Sequence, residues 1–430
     1  MQTEELYKIY LQNPSVQTDT RKLKPGDLFF ALKGPNFNGN SFAKQAIASG
    51  ASYAIIDEKV PMDTGIEIHD KIILVDDVLA TLQQLAAYHR SQFSIPFLAI
   101  TGSNGKTTTK ELIHAVLSTT FKTYTTEGNL NNHIGVPLTL LKIKKDAEIA
   151  LVEMGANHLK EIASYCTIAR PTHGLITNYG KPHLEGIGSE ERVRKGKGEL
   201  FDFLRNNNGT AFIMWDYDYL REMSKGISNI IKYGTDDADI EGQTEEEGTF
   251  LTVQMKKGIE GKIKTKLVGD YNFPNVLAAA AIGKYFKIDE QKIVSAIENY
   301  IPSNSRSQLI EKGSNKIILD AYNANPSSMK LAIENFAKVT GVNKVLVLGA
   351  MAELGRDSLK EHELIIDLIK KYSWKDVLLV GGDFLHTNHP FHSFENAQQA
   401  KDWLNNMQFE NTHFLVKGSR SMQMENVIAE

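Results

Sequence analysis

The sequence predicts an α/β protein of three domains, and three observations carry that prediction. At 430 residues the chain exceeds what one ordinary hydrophobic core organises. From about residue 93 onward, short strands of buried type alternate with helical patterns, as mostly parallel sheets covered by helices require. One of these strands, Phe97-Leu98-Ala99-Ile100, runs into a glycine turn carrying Lys-Thr and then into a helix, the order of a phosphate cradle. The expected division is a small α/β N-terminal domain over 1–92, a central P-loop-type ATPase domain with a mostly parallel sheet over 93–302, and a Rossmann-like C-terminal domain over 303–430.

In the first unit, Pro25-Gly26 signals a turn, the strand Asp27–Leu32 starts after it, and Lys33-Gly34-Pro35-Asn36 breaks that strand. Ser41 is placed to cap a helix carrying Phe42, Ala43, Ala46 and Ile47. The strands Tyr53–Ile56 and Ile72–Val75 follow, and then a helix with Val78, Leu79, Leu82, Leu85 and Ala86 on one face.

The central unit opens on the stretch Thr101 to Thr109. Gly102 and Gly105 let the backbone double back, so that the N–H groups of Gly102, Ser103, Asn104, Gly105, Lys106, Thr107 and Thr108 can converge on an anion at a helix start. Lys106 can reach terminal phosphates, and the Thr107 hydroxyl can ligate a bridging magnesium ion. The spacing departs from G-x-x-x-x-G-K-[ST], since Ile100 holds the place of the first glycine. Ile149–Val152 is an apolar run ending in Glu153, and Gly174–Thr177 repeats the pattern, ending in Asn178. Ligands of open α/β sheets bind at that edge. A more β-rich stretch follows around 250–253 and 262–265, and then an alanine-rich helix from Asn272 to Phe286.

In the last unit Lys316–Asp320 precedes a helix that Asn325 can cap, with Pro326 at its first position. Val345–Leu348, Val377–Val380 and Phe414–Val416 read as three further buried strands followed by glycines. No G-x-G-x-x-G follows any of them, so a dinucleotide is not implied.

A hydrophobic fraction of 42% with 23% charged residues is ordinary for a globular chain, and a net charge of −4 supplies no field for nucleic acid. The single cysteine, Cys166, excludes an internal disulfide and fits a reducing compartment as a buried structural thiol. The N-terminus lacks a signal-type apolar region and no run approaches the ~18–20 apolar residues of a membrane span, so a cytoplasmic protein is expected.

Glu153 ends a strand too apolar to be exposed, and a buried carboxylate needs a cation or a cleft; magnesium held with Thr107 would satisfy both. The alternative is a carboxylate that caps the next helix near Asn157 and His158. On their own, His183 reads as a surface histidine, the run Arg192 to Glu199 as a solvated helical face, Asn272 and Asn275 as helix-capping amides, and Arg306 and Asp320 as surface charges.

The chain also resembles the Mur ligase family of ATP-dependent amide ligases. The likeness rests on Asp19-Thr20-Arg21 with Pro25 to Leu32, on Thr101 to Thr109, on Gly128 to Pro137, and on Glu153 to His158. It continues through His183-Leu184-Glu185, Tyr322-Asn323-Ala324-Asn325-Pro326, Glu353-Leu354-Gly355 and Lys417-Gly418-Ser419-Arg420. The resemblance implies peptidoglycan precursor synthesis: phosphoryl transfer from ATP to the carboxylate of a UDP-N-acetylmuramoyl tripeptide, then attack on the acyl phosphate by D-alanyl-D-alanine. It implies ATP and two Mg2+ sites, with Lys106, Glu153, His183 and Lys197 as catalytic residues. Thr107, Glu153, His183 and Lys197, the last as a carbamate, would be metal ligands. Asn272, Asn275, Arg306 and Asp320 would join the glycine loop in binding ATP, and Thr20, Arg21, Asn131 and Asn157 would bind substrate. A monomer without membrane insertion is expected. Pro182, Tyr271, Ala321 and Ala350 depart from the family pattern, which usually has alanine, histidine, serine and aspartate there. The same chemistry on a single amino acid or a folate polyglutamate, and a non-catalytic ATP switch, stay open.

Overall fold

The computed structural model describes residues 1–59, 70–179, 190–245, 250–303, 305–339 and 343–429. Pro182, His183, Leu184 and Glu185, which carry part of the expected site, lie outside the described residues. Three principal sheets follow one another along the chain, of four, nine and six strands.

The first sheet is parallel, in the order Val16–Gln17, Leu28–Phe30, Tyr53–Ile56, Ile72–Leu74. A helix not expected from the sequence, Thr3–Gln12, buries Leu6 and Tyr10 and packs on the helix Val78–Ser91. Ser41 does not cap the helix Ala43–Ala48: its hydroxyl donates to Asn38 O, and a 3-10 turn over Gly39–Phe42 leads into the helix instead. Asp77 caps Val78–Ser91 by accepting from Ala80 N. That helix joins Leu28, Phe30 and Ile55 to the central core, so one face of the first sheet shares its hydrophobic cluster with the middle of the molecule.

The central sheet places the fully buried strand Phe97–Thr101 between Ile149–Glu153 and His173–Ile176, parallel to both. The register pairs Ile100 with Glu153 and Thr101 with Ile176, bringing three carboxyl ends to one level. Polar groups there stand at the edge where open α/β sheets bind ligands. The far strands, Thr252–Lys257 and Lys262–Lys264, turn antiparallel, which accounts for the β-rich stretch. The alanine-rich helix Phe273–Tyr285 is buried nearly all round and packs on the helix Lys106–Leu117; its small side chains allow that close approach.

The third sheet runs Gln308–Lys312, Asn315–Asp320, His413–Lys417, Lys344–Gly349, Asp376–Val380, His392–Phe394, parallel except for its first pair. Its two faces carry separate cores. Asn325 caps Pro326–Lys338 as expected: its Oδ1 accepts from Ser328 N at 2.9 Å, within a reciprocal capping box.

Candidate functional site

The phosphate loop is held from beneath by the next strand's end. Ser103 N donates to Asn178 O at 2.9 Å, Asn104 N donates to Asn178 Oδ1 at 3.0 Å, and Thr177 Oγ1 donates to Asn104 O at 2.6 Å. Two of the N–H groups expected to face an anion are therefore used internally. Among the groups left for a phosphate are those of Lys106, Thr107 and Thr108, which open the helix Lys106–Leu117 and have no partner one turn back.

Gly102 sits at φ 144°, where a Cβ would overlap the Thr177 hydroxyl; Gly105, at φ 78°, is backed by Asn275 Oδ1, 2.9 Å from where its Cβ would lie. Gly102→Ala is expected to displace the loop from Thr177 and weaken ADP binding about ten-fold or more, measured by calorimetry. Lys106 Nζ donates to Gly102 O at 2.8 Å and Ser103 O at 3.1 Å, so it lies folded over its own loop. Burial lowers its pKa against the opposing pull of Glu153, and Arg306 adds to the lowering.

Glu153 is 1% exposed. Its Oε1 accepts from Asn131 Nδ2 at 2.8 Å and from Thr107 Oγ1 at 3.2 Å, while Oε2 is buried without a hydrogen-bond partner. It does not cap the following helix; Glu161 takes the N–H groups of Asn157 and His158 instead. A buried carboxylate oxygen with nothing on it, beside a threonine hydroxyl, fits a hard cation that completes its shell with phosphate oxygens and water. No cluster of three or more His, Cys, Asp or Glu that could hold a metal by itself occurs among the described residues. Behind Glu153, Thr126 Oγ1 accepts from its backbone N at 3.0 Å, and the buried Lys110 donates to Thr126 O at 2.6 Å. Lys110 and Thr126 were not among the residues assigned from sequence; a lysine one helical turn beyond Lys106 was their only signal.

Lys197 corrects the reading of its helix as a wholly solvated face. Arg192, Arg194 and Lys195 are exposed on Glu190–Asn206, but Lys197 is 4% exposed. Its Nζ donates to Ala156 O at 3.2 Å. Neighbouring Glu199 spends its carboxylate on the N–H groups of Lys160 and Ala163. Burial, assisted by the nearby Lys106 charge, brings the Lys197 pKa down to about 7. Lys197 lines a cleft of about 510 Å³ with Lys106, Asn131 and Asn157, and Asn323 and Arg420 reach it from the third sheet. Cys166 behaves as expected, buried with its thiol pushed up to about 12.

A second cleft, of about 720 Å³, runs from the phosphate loop between the central and third sheets. Arg306 stands in its wall, stacked 3.6 Å from the Tyr322 ring centre, its Nε buried without a partner. Asp320 is no free surface charge: it accepts from Lys417 Nζ at 2.5 Å and from Ser307 N at 3.2 Å. Asn272 and Asn275 do not act as helix caps. Asn275 Oδ1 accepts from Thr109 Oγ1 and its Nδ2 donates to Asn272 Oδ1, while Asn272 Nδ2 donates to Val268 O. Lys417 and Asn178 were not assigned from sequence either; each ends a buried strand at the ligand edge, a signal shared by many inert residues. Thr20 and Arg21 lie apart, in a 3-10 turn where Arg21 pairs with Asp19, and they line neither cleft.

Three family models match the chain: the Mur ligase family, catalytic domain over 14–90, the Mur ligase middle domain over 100–283, and the Mur ligase, glutamate ligase domain over 305–420. The chain is 35% identical to the UDP-N-acetylmuramoyl-tripeptide–D-alanyl-D-alanine ligase of Bacillus subtilis, covering 99% of this chain and 96% of that one. It is 34% identical to the Escherichia coli protein of the same name, over 96% and 92%. Among solved structures it is similar to MurF from Acinetobacter baumannii, with a TM-score of 0.85 at 31% identity over 96% and 92% of the two chains. MurF from Thermotoga maritima in complex with ADP superposes with a TM-score of 0.84 at 26% identity, over 97% of each.

Proposed function

The chain belongs to the Mur ligase family, and from that premise we propose that it joins D-alanyl-D-alanine to the carboxylate of a UDP-N-acetylmuramoyl tripeptide at the expense of ATP, in peptidoglycan precursor synthesis. The observation that carries the chemistry is Glu153, a buried carboxylate with one oxygen unused, level with a phosphate loop. The reaction divides into transfer of the γ-phosphoryl group to the substrate carboxylate and displacement of phosphate from the acyl phosphate by the dipeptide amine.

Lys106 leaves its own loop carbonyls to meet the terminal phosphates, and the first-turn N–H groups beyond it hold the anion where charge develops. Thr107 and Glu153 would hold one magnesium ion, and His183 with carbamylated Lys197 a second, supplying charge neutralisation during phosphoryl transfer. The low pKa of Lys197 favours that modification, because only the neutral amine attacks carbon dioxide, losing a proton as the carbamate forms. Arg306 faces the nucleotide from the third sheet with a free Nε, Asp320 holds Lys417 beside it, and Asn272 and Asn275 brace the loop that contacts ATP. Asn131 and Asn157 border the cleft where carboxylate and amine would meet. Closing that cleft would protect the acyl phosphate from water.

We assign 1–92, with Thr20 and Arg21, to the UDP end of the substrate, 93–302 to ATP, and 303–430 to completing both clefts. The protein acts in this reading as a cytoplasmic monomer on small molecules, without nucleic acid; among the described residues no helix is long and apolar enough to cross a membrane. Purified protein given UDP-muramoyl tripeptide, ATP and magnesium should release phosphate only when D-alanyl-D-alanine is added. Release that ignores the dipeptide, or that answers equally to single amino acids, overturns the acceptor assignment.

A further inference from the structure

Among the described residues, polar bridges join the central and third sheets, and one of them touches the phosphate loop itself. Tyr271 OH lies 2.9 Å from Ser307 Oγ, and Asp270 N donates to Asn335 Oδ1 at 3.1 Å; both involve the turn before Phe273–Tyr285. A further bridge runs from Asn325 Nδ2 to Asn104 Oδ1 at 2.8 Å. Asn325 is buried, and its two amide ends have different tasks: Oδ1 caps Pro326–Lys338, and Nδ2 reaches across the unit boundary.

Asn104 is the residue through which the loop is otherwise gripped from below. Its N–H goes to Asn178 Oδ1, and its carbonyl accepts from Thr177 Oγ1 and Asn178 Nδ2. The backbone of Asn104 thus belongs to the central sheet and its side chain to the helix of the neighbouring unit. Gly105 follows at φ 78°, and Lys106 begins the anion-binding turn. A displacement of the third sheet relative to the central one would reach, through this amide pair, Asn104, two residues before that turn.

We propose that Asn325 is a positioning residue for ATP use: its bridge to Asn104 makes the shape of the phosphate loop depend on docking of the C-terminal unit. Nucleotide binding and docking then favour one another, as linkage requires of two events that share an interaction. The proposal rests on the reading of the loop as an ATP site and not on the identity of the acceptor.

The test is a double-mutant cycle in the full chain. Asn325→Ser keeps a hydroxyl to cap the helix and is too short to reach Asn104; Asn104→Ala removes the other end and leaves the cap intact. ADP affinity by calorimetry and the ATP KM are read together with the thermal midpoint. Each single variant is expected to lower ADP affinity and raise the ATP KM about three- to ten-fold, the span of one buried hydrogen bond. The midpoint should stay within a few degrees, the dipeptide KM should not move, and the double variant should be no weaker than the weaker single. Singles within two-fold of the parent protein, or losses that multiply in the double variant, overturn the proposal. A purely structural cap would shift the midpoint and leave the KM for ATP alone. If the parent protein binds no ADP, the ATP-site reading itself has failed, which the same calorimetry reports.

Discussion

Glu153→Gln is expected to reduce turnover by roughly 10²-fold or more, the scale of removing charge stabilisation from a developing transition state. Glutamine has the shape of glutamate and can keep one oxygen for Asn131 Nδ2 and Thr107 Oγ1, so the strand Ile149–Glu153 and its neighbours should stay in place. What changes is the second atom, an unpartnered carboxylate oxygen in the parent protein that becomes an NH2 group unable to bind a cation. ADP affinity should therefore become nearly independent of magnesium in the variant while rising with magnesium in the parent. Equal magnesium dependence in both proteins would remove Glu153 from the metal site, whatever happens to turnover.

Lys197→Ala is the second large effect expected, with turnover lost and ADP binding largely kept, because Lys197 lines the smaller cleft and not the larger one proposed to take the nucleotide. In the parent protein, activity should fall in buffers stripped of carbon dioxide and bicarbonate and return when they are restored. With a pKa brought down to about 7, the neutral amine is the majority form above pH 7 and the minority below it, so recovery should slow as the pH drops below 7. Full turnover by Lys197→Ala would refute its metal-site role.

The same residue has a stability consequence of definite sign. Between about pH 7 and the ordinary lysine value of 10.5, the unfolded chain holds more protons at this position than the folded one, so stability rises with pH across that window. The cost of burying the ammonium is complete below pH 7 and fades toward 10.5. Lys197→Met should therefore melt above the parent protein at pH 6, with a smaller gap at pH 9, when carbon dioxide is excluded. A gap that grows with pH would show that Lys197 is not buried as a free amine.

Much of the fold was legible because strand identity is a local property. Runs such as Phe97–Ile100, Ile149–Val152 and Val345–Leu348 are apolar throughout, and only a strand covered on both faces tolerates that. Asn325 before Pro326 was legible for the same reason, since capping needs only neighbours in sequence. Ser41 failed because a closer competitor won: its hydroxyl found Asn38 O, and the chain entered the helix through a 3-10 turn. The helix Thr3–Gln12 was not legible because only Leu6 and Tyr10 of its ten residues are buried, and the helix it packs on, Val78–Ser91, is distant in the chain.

The phosphate loop, the parallel strands that deliver polar residues to one edge and the family motifs could all be read from the order of residues. Those depend on residues next to one another or on spacing within a single element. Tertiary structure alone decided which side chains are buried and what they touch. It separated Lys197 from the exposed Arg194 and Lys195 on the same helix, and it left one oxygen of Glu153 without a partner. It also gave the N–H groups of Ser103 and Asn104 to Asn178, and it tied Asn104 to Asn325 across a unit boundary. The physical reason is that desolvation and hydrogen-bond pairing are set by whatever packs against a group, and in this chain those partners arrive from as far as 221 residues away.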